Sequence, residues 1–276
     1  MMKTLRQAGR LAWRGGRWED GDRMVPAEVP VALVCNGTTL AVMMATPADL
    51  RDFGIGFLLT EGIVRSAAEI EAIEILAHDR GAEVQISLEP AAQTRFESRR
   101  RALVGPVGCG LCGIDSLDEA LRPVPAVTAP LVLAPAEVGL AMAGLARMQT
   151  LNLATRAVHA AGLYVPGRGI THAREDVGRH NALDKLAGAL ALAAGDAAAG
   201  AATGAIVLTS RVSVDMVQKA AVIGAPVLIA ASAPTGLAID TAAEAGITLV
   251  AVARGEEFEV FTHPRRLSTG PAADVA

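Results

Sequence analysis

The chain has 276 residues, 51% of them hydrophobic and 20% charged, which is enough to bury a sizeable core and too apolar for a disordered polypeptide. A net charge of −4 gives no bulk attraction to polyanions, and 3% aromatic residues make a poor base-stacking surface, so no nucleic-acid partner is expected. Mean hydropathy is +0.37, yet Gly195-Asp196 and Pro226 interrupt the most apolar stretches before they reach the roughly 20 residues of a membrane span.

Residues 1–27 are rich in Arg and Gly without clear periodicity and read as a flexible arm. They hold no apolar run followed by a small-residue cleavage site, so a cytoplasmic protein is expected. Runs 29–35 and 38–46 are rich in β-formers and flank Asn36-Gly37, the signature of a type I′ hairpin. Thr46-Pro47-Ala48-Asp49 then offers an N-cap, a first-turn proline and an acid, ahead of Leu50, Phe53, Phe57 and Leu58 at helical spacing. Gly54 and Gly56 weaken that helix. The pattern predicts a further helix over 67–76 and a strand over 83–88, so residues 28–125 form an α+β domain. Four prolines between 121 and 135 mark a boundary.

Residues 126–276 form the second domain, with helices over 135–150 and 180–194. From Ala205 the order becomes regular: strand 206–208, helix 213–224, strand 227–231, helix 235–245, strand 247–252, and a last strand over 258–262. A β-α-β-α-β order predicts parallel strands with right-handed crossovers. Their carboxyl ends, where open α/β sheets bind ligands, place Ser210-Arg211, Ser232-Ala233 and Arg254-Gly255 along one rim. Only three of the 25 basic residues are lysines, and an arginine excess suits phosphate contacts. Helix starts beside Ser213 and Thr235 add donors for a phosphate-bearing ligand, although such residues are also ordinary caps.

The chain has three cysteines. Two of them form Gly108-Cys109-Gly110-Leu111-Cys112-Gly113, a C-x-x-C whose glycines leave both sulfurs accessible. Three chemistries compete: a zinc site short of two ligands, with Cys35 as the one other thiol; a thioredoxin-like pair lying outside the β-α-β region; and a nucleophilic thiolate that carries sulfane sulfur. The segment from Thr171 to Lys185 gathers His172, Arg174, Glu175, Asp176, His180 and Asp184, and reads as the wall of a polar cleft. His172 and Glu175 echo a zinc deaminase, but that signature has one intervening residue and a later C-x-x-C. A zinc-dependent hydrolase is therefore the alternative reading.

These segments together resemble the formate dehydrogenase accessory sulfurtransferases, the FdhD/NarQ family. The resemblance runs over about residues 28–266: Glu28-Val29-Pro30-Val31, Met43 to Pro47, Gly56 to Gly62, Gly108 to Gly113, Thr171 to Lys185, Ser210 to Ala220, Ser232 to Thr235 and Thr262-His263-Pro264. It implies a sulfur carrier loaded as a persulfide on Cys109 by a cysteine desulfurase, with Cys112 in support. The sulfur would pass to the bis-molybdopterin guanine dinucleotide molybdenum cofactor before insertion into formate dehydrogenase. It further implies a homodimer, a three-layer C-terminal α/β domain resembling the cytidine deaminase fold, and no permanently bound metal. Cofactor contacts are implied at Val252, Ala253, Arg254, Gly255, Glu256 and Glu257. The polarity of Arg211, His172 and Arg174 adds them to that set. A cofactor chaperone without chemistry of its own is a third reading.

Overall fold

The computed structural model describes residues 2–102 and 123–268. Its first element corrects the expectation of a flexible arm: β1 (Leu5–Arg14) and β2 (Arg17–Pro26) pair in antiparallel register as a two-stranded ribbon turned by Gly15-Gly16. Both ribbon faces are largely exposed, so no buried apolar stripe marks the strands in the sequence.

The predicted hairpin forms from β3 (Val29–Cys35) and β4 (Thr38–Ala45), with Asn36 and Gly37 at φ +45° and +76° as a type I′ turn requires. Helix α1 (Leu50–Thr60) begins later than the capping pattern suggests: Asp49 precedes it in a left-handed conformation, and Thr46 caps nothing. The predicted helix at 67–76 is a second correction. Residues 67–69 make one 3-10 turn, and β5 (Ile70–His78) then pairs with β6 (Gly81–Leu88). Ile70 and Ile73 fit either periodicity. Pairing of Ile73 with Ile86 and of Ile75 with Val84 decides for the strand, which also suits its β-branched residues. The four strands order as β4-β3-β6-β5, and α2 (Pro90–Ala102) follows.

Helices α3 (Pro135–Met148) and α4 (Thr150–Thr155) open the second half. They lead to β7 (His159–Val165) and β8 (Gly169–Asp176), a hairpin the apolar patterning did not announce. Helices α5 (Arg179–Ala194) and α6 (Ala197–Ala201) precede the regular region: β9 (Ala205–Leu208), α7 (Val214–Val222), β10 (Val227–Ala230), α8 (Gly236–Ala245), β11 (Thr248–Arg254) and β12 (Glu257–Val260). The six-stranded sheet runs β12-β11-β10-β9-β7-β8, with β9, β10 and β11 parallel as expected and β7 and β12 antiparallel to their neighbours. The molecule is a mixed α/β protein.

Side-chain alternation splits the large sheet between two cores. Ile206, Leu208, Leu228, Ala230 and Leu249 join one cluster, which continues through α1 and α5 into the four-stranded sheet. Val207, Val227, Ile229 and Val250 face the other way, onto Val138, Ala141 and Leu145 of α3. The two halves meet where α1 crosses α5 at backbone contact. A Cβ on Gly56 would lie 1.7 Å from the Asp184 carbonyl oxygen, and one on Gly188 would lie 1.9 Å from that of Asp52. No described helix is long and apolar enough to cross a membrane.

Candidate functional site

Helix α5 places four polar side chains, His180, Asn181, Asp184 and Lys185, at successive one-turn and adjacent positions in its first two turns, and all four are buried. Each has a partner from another element. Lys185, with no exposed surface, donates to Asp176 at 2.6 Å and to the Thr46 carbonyl at 2.9 Å. Asn181 donates to Asp176 and to the Met44 carbonyl, while the Asp176 carboxylate also accepts from the Thr46 backbone N–H. This is why Thr46 is drawn away from the role of helix cap.

One turn along, Asp184 accepts from Lys219 of α7 at 2.9 Å and from the Thr60 hydroxyl at 2.7 Å. Lys219 also reaches Glu61 at 3.2 Å, and Glu61 accepts from Arg99 of α2. Burial by itself lowers the Lys219 pKa, but the Asp184 and Glu61 carboxylates outweigh it and hold the ammonium charged above its ordinary range. These pairs bind α1 and α2 of the first half to α5 and α7 of the second. They are the polar counterpart of the glycine crossing.

At the amino end of α5, His180 contacts Asp215 in the first turn of α7, both nearly inaccessible. Burial raises the Asp215 pKa. The hydrogen bond and charge of His180, with help from the Ser213 hydroxyl, overcome this and keep the carboxyl below its usual range. His159, paired across the sheet with Asp176, is pushed below its usual value first by burial and then by Arg179 and His180.

The carboxyl edge of the sheet assembles part of the rim expected from the sequence. Val212 bridges Pro234, the Thr235 N–H donates to the Val212 carbonyl, and the Val252 N–H donates to the Ser232 carbonyl. The loops at 210–213, 232–235 and the end of β11 therefore adjoin. Arg211 is exposed there, and the buried Ser210 donates to its carbonyl. Val252 takes φ +54°, a strained value for a β-branched residue, where the β11–β12 register shifts. Ala253 is buried, whereas Arg254, Gly255, Glu256 and Glu257 are exposed in the following turn. Gly255 and Glu256 line a groove of ≈ 600 Å³ with Pro135, Ala136, Gly139 and Leu140 of α3.

His172 and Arg174 do not join this rim. Both lie on the outer strand β8 and face α1, where Arg174 donates to Asp52 at 2.6–2.7 Å. Burial, then Arg174 and Arg168, lower the His172 pKa. Glu175 points to the opposite face of β8. Its carboxylate accepts from the Leu151 and Asn152 N–H groups and the Thr150 hydroxyl at the start of α4. His172 and Glu175 therefore cannot share one metal-bound water, and the deaminase echo falls with that geometry.

Cys109 and Cys112 lie outside the described residues. Cys35 has no exposed surface in β3, and burial pushes its thiol pKa up to about 12. The sequence reading missed Asp52, Thr60, Glu61, Asp215 and Lys219. One compositional signal pointed to the last: with 22 arginines present, Lys185 and Lys219 are two of only three lysines, and both are buried.

Two joined sheets, a seam of buried ion pairs and a polar carboxyl edge define the class as a mixed α/β protein with a candidate ligand-binding rim. Residues 26–268 match the FdhD/NarQ family, and the chain belongs to it. It is 52% identical over 265 residues to a protein named sulfur carrier protein FdhD from Agrobacterium fabrum, covering 96% of each chain. A protein of the same name from Brucella abortus is 50% identical over 266 residues, covering 96% of this chain and 97% of the relative. The crystal structure of a candidate formate dehydrogenase accessory protein from Desulfotalea psychrophila superposes with a TM-score of 0.76 at 29% identity, covering 96% of this chain and all of that one.

Proposed function

We propose that the chain is a sulfur carrier that works through a persulfide on Cys109. The observation that carries this reading is the state of the other thiol outside the C-x-x-C: Cys35 is sealed in the core, protonated at neutral pH and out of reach of any donor. Sulfur chemistry in a chain with three cysteines then falls to Cys109 and Cys112, and the near-full-length relatives named as sulfur carriers support it.

In the proposed step the Cys109 thiolate attacks the outer sulfur of a persulfide on a cysteine desulfurase. The new S–S bond forms as the donor's inner sulfur leaves as a thiolate, so one sulfur atom moves with no net oxidation. Attack of the Cys112 thiolate on the inner sulfur of the Cys109 persulfide would close a Cys109–Cys112 disulfide and release the terminal sulfur at the sulfide level, the two thiols supplying both electrons, for delivery to the molybdenum cofactor, bis-molybdopterin guanine dinucleotide, before that cofactor enters formate dehydrogenase. Cys112 supports the exchange. The cofactor is cargo, and its phosphates would take donors from the rim: Arg211 beside the start of α7, and the exposed turn Arg254-Gly255-Glu256-Glu257. Glu256 and Glu257 would repel phosphate, so the turn contributes Arg254 and backbone N–H groups. His172 and Arg174, turned to α1, have no direct part in this seat.

Incubation with a cysteine desulfurase and cysteine should add about 32 Da, one sulfur atom, to the peptide holding Cys109. The adduct should be absent from Cys109→Ala. If Cys109→Ala still supports active formate dehydrogenase in cells, the chain acts as a chaperone and not as a carrier.

A further inference from the structure

Asn181, Asp184 and Lys185 direct their polar groups into the seam between the two halves. His180, beside them in the first turn of α5, is engaged on one edge only. Its Nε2 is buried against the Asp215 carboxylate, whereas Nδ1 makes no hydrogen bond among the described residues. The side chain keeps 8% of its surface accessible, and almost none of that is at Nε2. Asp215 is held as a carboxylate by His180, by the Ser213 hydroxyl and by its own backbone N–H. Accepting from Nε2–H, it fixes the tautomer that leaves a lone pair on Nδ1.

The pair stands at the carboxyl edge of the large sheet, where α5 and α7 both begin without a side-chain cap. Among the described residues, the charged and titratable groups around it are Asp215 from α7, His159 from β7, and Arg179 and Asp176, which act on His159 as His180 does. No group of three or more His, Cys, Asp or Glu among the described residues could hold a metal ion there. The chain also enters and leaves the C-x-x-C segment beside α7. Arg99, near the end of α2, donates to Glu61, which accepts from Lys219 of α7 as well. On the return, Pro123 and Val124 line a groove of ≈ 340 Å³ with Gln218 and Val214, the residue before Asp215.

We propose that His180, oriented by Asp215, is the proton acceptor for the thiol that attacks the incoming persulfide. This rests on the sulfur-carrier reading. Nδ1 takes the proton as the S–H bond breaks, and the electron pair stays on sulfur, which forms the new S–S bond. The imidazolium, paired with Asp215, then returns the proton to the donor's departing thiolate. One proton and one sulfur atom move, and nothing is oxidised overall. An ordinary thiol, with a pKa of about 8.5, is only a few per cent ionised near pH 7, so a base has most to contribute there.

Single-turnover loading tests this, with a cysteine desulfurase charged beforehand as its persulfide and the gain of about 32 Da on the Cys109 peptide timed across the pH range. Relative to the parent, His180→Gln should load at least about tenfold more slowly near pH 7. The deficit should shrink to about twofold or less near pH 9.5, where the thiol ionises unaided. Asp215→Asn should show the same pH-dependent deficit, because the carboxylate that fixes the tautomer is gone. Near-parental loading at high pH also shows that the variants are folded. Loading unchanged near pH 7, or slowed by one factor at every pH, would overturn the proposal, since a pair that merely ties α5 to α7 gives one or the other. A parent chain that gains no sulfur on Cys109 at any pH would overturn the carrier reading, and the proton acceptor with it.

Discussion

Lysine at 185 and 219 is a choice of shape. A compact ammonium with three donors fits between Asp176 and the Thr46 carbonyl, or among Asp184, Glu61 and Thr60, where a planar guanidinium would need more room. Lys185→Met leaves Asp176 buried without its counter-charge and is expected to cost about 3–5 kcal/mol in urea unfolding; a loss under about 1 kcal/mol would mean that water replaces the ammonium. The pH dependence follows from His159 and His172. Burial lowers both below the ordinary imidazole value of about 6.5, so the unfolded chain takes up protons first as the pH falls. Stability should therefore decline from about pH 6.5 downward and level off once the folded-state values are passed. His159→Gln should flatten that slope in denaturation midpoints measured across the range. Asp215 acts with the same sign at lower pH: its stabilising effect is present above the ordinary carboxylate range and is lost as the pH falls through its depressed value.

Helix α1 reverses a propensity argument. Two glycines lower its intrinsic helicity, yet Gly56 and its counterpart Gly188 are what let α1 and α5 touch backbone to backbone. Gly56→Ala or Gly188→Ala should destabilise by at least about 2 kcal/mol, because backbone on the far side cannot move aside as a side chain would. Gly236→Ala is the control. It opens α8 with free space around it, so its thermal midpoint should hold or rise slightly. The Asn36-Gly37 hairpin, the regular α/β alternation after Ala205 and α5 were legible because turn chemistry and periodicity are local. The strand at 70–78 was not. Its residues fit two periods, and a partner strand settles the matter.

For the molecule as a whole, the sealed Cys35 separates carriage from storage. Cys35→Ala should load sulfur as the parent does, measured by mass spectrometry, at a modest cost in core packing. Loss of loading would place Cys35 on the transfer route. Arg211→Ala should weaken binding of GDP, a probe for the guanine nucleotide ends of the proposed cargo, and unchanged affinity would remove Arg211 from the proposed phosphate seat.

Composition and local pattern sufficed for the mixed α/β class, the parallel strands and the rim loops at 210 and 232, since each depends on residues near one another in the chain. Which polar groups meet depended on contacts across more than a hundred residues. Thr46 serves Asp176 and not a helix, Glu175 turns its back on His172, and Lys219 joins Asp184 to Glu61. The face on which a side chain emerges, and the element it then meets, are set by packing that no window of sequence contains.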